Sequence, residues 1–139
     1  MALWFTEEPF QPGNAFGYSE SFKGLGIFFD IFPNSRSSKK FPYVSAMVND
    51  GTKTYNHLKD GEGSLLAGCN AKILNTQTPI HAKIIYHNNN LEVLLFTSHD
   101  QGWSPCLKVS NVKLPRSGYV GVTAMTGDAT GIKPTKAIF

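Results

Sequence analysis

The chain is poor in charge, short of cysteine and free of long apolar runs. Charged residues make up 17% of its 139 residues, too few for a coiled coil or a solvated disordered tail. No apolar run reaches about 18 residues, so no segment reads as a membrane-spanning helix. The first eight residues, Met1-Ala2-Leu3-Trp4-Phe5-Thr6-Glu7-Glu8, lack the basic start and apolar centre of a signal peptide. There is no Asn-x-Ser/Thr sequon and no EF-hand pattern. The two cysteines, Cys69 and Cys106, are too few and too far apart for a paired-cysteine zinc site. Their spacing alone leaves open two buried thiols or one disulfide. The net charge of +3 comes from scattered lysines and one small basic loop, Ser35-Arg36-Ser37-Ser38-Lys39-Lys40. Nucleic-acid binders gather positive charge on one face or helix, so nucleic acid is not an expected partner.

What is abundant points to strands. Ten phenylalanines, thirteen glycines and eight prolines stand in short apolar stretches separated by turn residues. Strands are predicted over residues 1–6, 24–30, 43–48, 52–57, 81–86, 91–96, 107–109, 118–125 and 135–139. The run Gly24-Leu25-Gly26-Ile27-Phe28-Phe29-Asp30 is apolar without alternation, as expected of a strand buried on both faces. Asp50-Gly51 predicts a tight hairpin between residues 43–48 and 52–57. His87-Asn88-Asn89-Asn90 predicts a second, because asparagine tolerates left-handed backbone. No segment has helical periodicity over ten residues. The pattern is that of one antiparallel β-sandwich or barrel.

Three segments could carry function. In Asp30-Ile31-Phe32-Pro33-Asn34, a buried strand runs into a long loop. Two side-chain oxygens and the Phe32 carbonyl could meet at one point, with Pro33 stiffening the bend. Hard oxygen donors suit Ca²⁺. On pattern alone, however, an Asp and an Asn beside a proline are ordinary loop residues. His57 and Asp60 lie where a strand enters a turn, and Asp60 could supply a fourth oxygen. Gly127-Asp128 sits at the end of a strand, where glycine lets backbone approach a ligand.

An enzymatic reading finds little support. A sandwich glycosidase needs two carboxylates facing the scissile bond. Glu7, Glu8, Glu20, Glu62 and Glu92 form no Glu-x-Asp-x-x-Glu strand pattern. Gly24-Leu25-Gly26 is a lone Gly-x-Gly, without the continuation that a nucleotide site requires.

Seven motifs stand together in one order: Leu3-Trp4-Phe5-Thr6, Phe16-Gly17, Gly24 to Asp30, Asp30-x-Phe32-x-Asn34, Tyr55-x-His57-x-x-Asp60-Gly61, Leu66-Ala67-Gly68-Cys69 and Ala124-x-Thr126-Gly127-Asp128. In this arrangement the chain resembles the L-type (legume-lectin-like) mannose-binding cargo receptor lectins of the early secretory pathway, the vesicular integral membrane protein lectins among them. The resemblance implies an all-β, concanavalin A-like jelly-roll sandwich of antiparallel sheets. It implies Ca²⁺ held by Asp30, the Phe32 carbonyl, Asn34 and Asp60. It implies sugar contacts from Phe32, Asn34, His57, Gly127 and Asp128, and a disulfide between Cys69 and Cys106.

The function implied is Ca²⁺-dependent binding of high-mannose N-glycans on glycoprotein cargo, without catalysis, on the lumenal side of the endoplasmic reticulum, the intermediate compartment and the Golgi. Because a histidine and carboxylate ligands are the groups implied, glycan release is expected as pH falls. Two departures qualify the match. The family's Gly-Asp-Gly before Leu-Trp is not in the chain, so residues 1–139 are expected to be a single partial lectin domain, incomplete at the N-terminus. Residues 129–134, Ala-Thr-Gly-Ile-Lys-Pro, replace the family's acidic, His-containing stretch. The competing reading is a lectin-fold piece that has lost sugar binding and serves a structural or interaction role.

Overall fold

A computed structural model describes residues 1–34, 39–98 and 102–126. Among the described residues, eight strands form two antiparallel sheets. They are β1 (Ala2–Thr6), β2 (Lys23–Asp30), β3 (Tyr43–Asp50), β4 (Ala67–Asn70), β5 (His81–His87), β6 (Asn90–Phe96), β7 (Trp103–Val109) and β8 (Tyr119–Thr123). The five-stranded sheet has the order β4-β3-β2-β1-β8, and the three-stranded sheet the order β5-β6-β7.

The central strand β2 shows why its sequence lacks alternation. Leu25, Ile27 and Phe29 point between the sheets, where they meet Val44 and Ala46 of β3 and Leu91, Val93 and Leu95 of β6. Phe28 points the other way, into a second core with Trp4, Phe16, Tyr18, Phe22, Met47 and Tyr55. A strand with apolar partners on both faces has no face left to be polar. Gly26 completes this arrangement. A Cβ there would lie 2.7 Å from the Phe28 ring and 2.8 Å from the Trp4 ring. Both rings therefore close over a position that only glycine leaves empty. Phe28 stacks on Phe16 at 5.1 Å and meets Tyr55 at 4.8 Å. The second core thus reaches from β1 to the segment around residue 55.

The sandwich is stapled at one side. Cys69 of β4 and Cys106 of β7 are joined by a disulfide, with Cα atoms 5.2 Å apart. The ladder between β6 and β7 slips between Val93 and Leu94, so that Leu107 faces Val93 while Pro105 faces Leu94. Cys106 is the extra residue in this bulge. A bulge re-aims one side chain, and here the Cys106 sulfur packs into the inter-sheet core, bonded to Cys69.

The hairpin at residues 87–90 forms as expected. Asn88 and Asn89 both adopt positive φ, and His87 pairs with Asn90. The Asp50-Gly51 hairpin does not. Residues 52–57 form no strand, and the other partner of β3 is β4. The Asn49 side chain explains the difference. It accepts from the backbone N–H groups of Gly51 and Lys53 and donates to the Lys53 carbonyl. This turns the chain out of the sheet instead of returning it alongside β3. β7 also starts four residues earlier than expected, at Trp103. Residues 135–139 lie outside the described residues.

Candidate functional site

β2 leaves the five-stranded sheet at Asp30, on the same face as Phe28. Its carboxylate is nearly buried, and its Oδ1 accepts from the Phe32 N–H at 3.2 Å, which turns the chain back at once. The loop then reaches Asn34. The backbone N–H of Asn34 donates to Asp60 Oδ1 at 2.9 Å, and its side-chain Nδ2 donates to the same oxygen at 3.1 Å. Nδ2 also lies 3.3 Å from His57 Nε2.

Residues 57–60 take their shape from a short 3₁₀ turn, His57–Lys59. Asn56 caps it by accepting from the Lys59 N–H. Asp60 ends it in the left-handed conformation at φ 51°, and Gly61 follows at φ 67°. Two successive positive φ values reverse the chain and bury the Asp60 carboxylate beside Asn34. A Cβ on Gly61 would lie 2.5 Å from Tyr55 Cε2.

The electrostatics of this corner are those of crowded negative charge. Burial pushes the Asp30 carboxyl up from its ordinary value, and the nearby Asp60 charge pushes it further. Burial, then the charges of Asp30 and Asp60, also push the buried Tyr55 hydroxyl well above its ordinary value. Two carboxylates withdrawn together from water are costly unless something positive answers them. Part of the answer is in the chain: the Asn34 amide donates to Asp60, and Lys39 Nζ donates to the Asp60 carbonyl at 3.1 Å.

One polar group has no such answer. His57 Nδ1 is buried, and no described residue hydrogen-bonds to it. The ring stands edge-on to Phe16 at 5.6 Å. When Asn34 Nδ2 donates to Nε2, the proton of the neutral ring must sit on this Nδ1.

The structure thus brings Asp30, Phe32, Asn34, His57 and Asp60 into one cluster from two distant segments. Gly127 and Asp128 lie outside the described residues, as do residues 129–134. Sequence reasoning had not singled out Lys39, Tyr55 or Phe16 as parts of this site. Tyr55 and Phe16 carried a readable signal, since each belongs to a motif already noted. The contact of Lys39 with a backbone carbonyl carried none.

The cluster fits a hard divalent cation. Among the described residues no three His, Cys, Asp or Glu side chains gather as a metal site, but a calcium set also draws on amide and carbonyl oxygens. Rotating the Asn34 amide exchanges its oxygen and nitrogen. Against bare carboxylates the nitrogen is the better group to present, and against a bound cation the oxygen is.

A family model, the legume-like lectin family, matches residues 1–138. The chain belongs to the legume-like lectin family. This family member is 38% identical over 130 residues to the VIP36-like protein of Homo sapiens, covering 92% of this chain and 37% of the relative. It is 39% identical over 129 residues to the vesicular integral-membrane protein VIP36 of Mus musculus, covering 92% of this chain and 36% of the relative. Among solved structures it is similar to the exoplasmic/lumenal domain of VIP36 in its Ca²⁺/Man3GlcNAc-bound form. There the TM-score is 0.88 at 38% identity, over 91% of this chain and 54% of that one. The chain therefore spans a little over a third of the length of these curated relatives, and about half of the solved lumenal domain. The concanavalin A-like antiparallel sandwich that the family resemblance implied is the fold observed.

Proposed function

We propose that this legume-like lectin binds high-mannose N-glycans of glycoprotein cargo in a Ca²⁺-dependent manner, without catalysis, in the lumen of the early secretory pathway between endoplasmic reticulum and Golgi. The observation that carries the reading is the pairing of two buried carboxylates, Asp30 and Asp60, close enough to feel each other's charge, with Asp60 holding the Asn34 amide beside His57. The relative VIP36 supports it, since its lumenal domain has been solved with Ca²⁺ and Man3GlcNAc bound. The name of that relative, a vesicular integral-membrane protein, supports the compartment. The Cys69–Cys106 disulfide also suits an oxidising lumen.

In this reading Asp30, Asp60, the Asn34 amide oxygen and the Phe32 carbonyl would hold the metal. Bound Ca²⁺ supplies positive charge that neutralises the two carboxylates and fixes the loop of residues 30–34. The chain's own groups then meet the sugar. Phe32, half-exposed on the loop, offers an apolar face to a pyranose ring. Asn34 and His57 offer donors and acceptors to its hydroxyls, and Gly127 and Asp128 would add further contacts. Holding these groups in place before the sugar arrives lowers the ordering cost of binding.

The test is calorimetric titration of Ca²⁺ into the chain and into its Asp30→Asn variant, paired with retention on immobilised high-mannose glycan with and without chelator. Ca²⁺ uptake and chelator-sensitive retention, both lost in the variant, support the reading. Equal uptake by both proteins removes Asp30 from the site. Uptake without retention leaves a metal-stabilised lectin fold with no sugar function.

A further inference from the structure

Asp60 is held through its side chain and through its backbone, and both grips come from the segment that follows β2. The Asn34 backbone N–H and Nδ2 donate to its carboxylate at 2.9 and 3.1 Å. Lys39, a little further along, donates from Nζ to its carbonyl at 3.1 Å. That carbonyl belongs to the Asp60–Gly61 peptide, whose own N–H donates to the Asn56 carbonyl at 2.9 Å. One peptide plane is therefore fastened at both ends. It is the plane that joins the two residues of positive φ, so its orientation decides where the Asp60 side chain points.

Lys39 is itself placed by its surroundings. It is half-buried, and its ammonium lies over the Tyr43 ring, 5.5 Å from the centroid, within cation–π range. Tyr43 opens β3 and pairs with Asp30 across the ladder to β2. The chain between Lys39 and Tyr43 is tied to the end of β4. Asn70 Nδ2 donates to the Lys40 and Pro42 carbonyls at 3.0 and 2.9 Å, and the Ala71 N–H donates to the Pro42 carbonyl at 3.0 Å. A donor whose stem is anchored in this way has less freedom left to lose when it bonds.

We propose that Lys39 is a positioning residue of this site: it fixes the Asp60–Gly61 peptide and so aims the Asp60 carboxylate at Asn34 before a cation arrives. The proposal rests on the reading of this corner as the Ca²⁺ site, and it gives a role to a side chain that supplies none of the metal ligands. Charge and tether act here with opposite signs. A cation beside the site repels Ca²⁺, so by charge alone its removal would tighten binding. Loss of the tether frees the peptide to turn and weakens binding. The ammonium is only half-buried, so its long-range charge is screened, whereas its charge-assisted bond to the carbonyl is direct. The tether is the larger effect.

The test uses Lys39→Met, which keeps the stem and removes the ammonium, and Lys39→Arg, which keeps a charged donor. Amide hydrogen exchange of the metal-free 139-residue chain reads the positioning itself, and calorimetric titration of Ca²⁺ reads its consequence. In Lys39→Met, the Asn34 N–H is expected to lose protection by about tenfold or more, because its acceptor is no longer held. The Val112 N–H, which donates to the Asn89 carbonyl at the β5–β6 hairpin, stays as it was. Ca²⁺ affinity falls by about tenfold or more, the usual effect of removing a group that orients a metal ligand. Lys39→Arg recovers most of both losses. Unchanged protection at Asn34 overturns the proposal, as does an equal loss at Val112, which is general loosening. Tighter Ca²⁺ binding by Lys39→Met overturns it in favour of a competing charge, and an arginine no better than methionine overturns it too. A parent chain that takes up no Ca²⁺ refutes the metal reading instead, and the Asn34 exchange still decides whether Lys39 positions Asp60.

Discussion

Gly61→Ala is the sharpest probe of how the candidate site is held. Gly61 has φ 67°, and an added Cβ would lie 2.5 Å from Tyr55 Cε2 and 3.0 Å from Leu65 Cδ2. Gly63, two residues on, has φ 85°, but a Cβ there meets nothing within 4 Å. Both substitutions carry the left-handed strain of an L-residue, about 1–2 kcal/mol. Only Gly61→Ala adds overpacking. Tyr55 is buried and held by Phe28 at 4.8 Å and Phe16 at 5.7 Å, so it has little room to retreat. Overpacking of this kind costs about 1–3 kcal/mol. The two variants should therefore differ by that amount, or about 4–12 °C in Tm for a chain of this size.

Because Asp60 is the preceding residue, the forced shift should also move its carboxylate and weaken Ca²⁺ binding by about tenfold or more, with Gly63→Ala close to the parent. Thermal unfolding without metal and calorimetric titration with it are the assays. Equal losses of stability in the two variants would refute the packing argument. Unequal stability with equal Ca²⁺ affinity would detach Asp60 from the metal.

Other consequences follow from the same geometry. Replacing Cys69 and Cys106 by alanine opens a cross-link between residues 37 apart in sequence, and the chain-entropy relation puts the loss at about 4 kcal/mol, read from denaturant midpoints. Phe28→Ala removes a fully buried ring packed against Trp4, Phe16 and Tyr55 and should cost about 3–5 kcal/mol by the same measurement. Burial raises the Asp30 carboxyl in the folded, metal-free chain, so Asp30 favours the fold when protonated. That contribution is present in full below the ordinary aspartate value and is lost as pH rises through the raised one. Asp30→Asn should therefore stabilise the metal-free chain near neutral pH while abolishing its stabilisation by Ca²⁺; a lower neutral-pH Tm without metal would contradict this. Ca²⁺ needs the ionised form, so its affinity should fall as pH drops toward the raised Asp30 value, and a flat titration would contradict that.

The legible parts of the fold are those where burial alone decides. The unbroken apolar run of β2 needed two buried faces, and the Asn88-Asn89 hairpin needed two left-handed residues; both appear as written. The missed parts depend on partners far away in sequence. β4 is four residues with a glycine at its second position, too short to show a period, and it exists because β3 offers it an edge. The start of β7 was hidden by Pro105, which sits beside the bulge in the β6–β7 ladder, on a strand that among the described residues pairs with β6 alone. The failed Asp50-Gly51 hairpin turned on one side chain, Asn49, which captured the backbone first.

The candidate site divides in the same way. Asp30 and Asn34 share a loop and could be read as a pair of oxygen donors. That Asp60 and His57 join them needed the family resemblance, because 26 residues separate Asn34 from Asp60 and no local pattern states their contact.

The position of β1 has a bearing on synthesis. It lies inside its sheet, between β2 and β8, and its Trp4 Nε1 donates to Thr123, 119 residues away. At about 5–20 residues per second, a ribosome takes about 6–24 s to travel between those two positions. Through that interval β1 has β2 on one side and nothing yet made for the other. β1 thus waits for β8 to be translated before its second edge is covered.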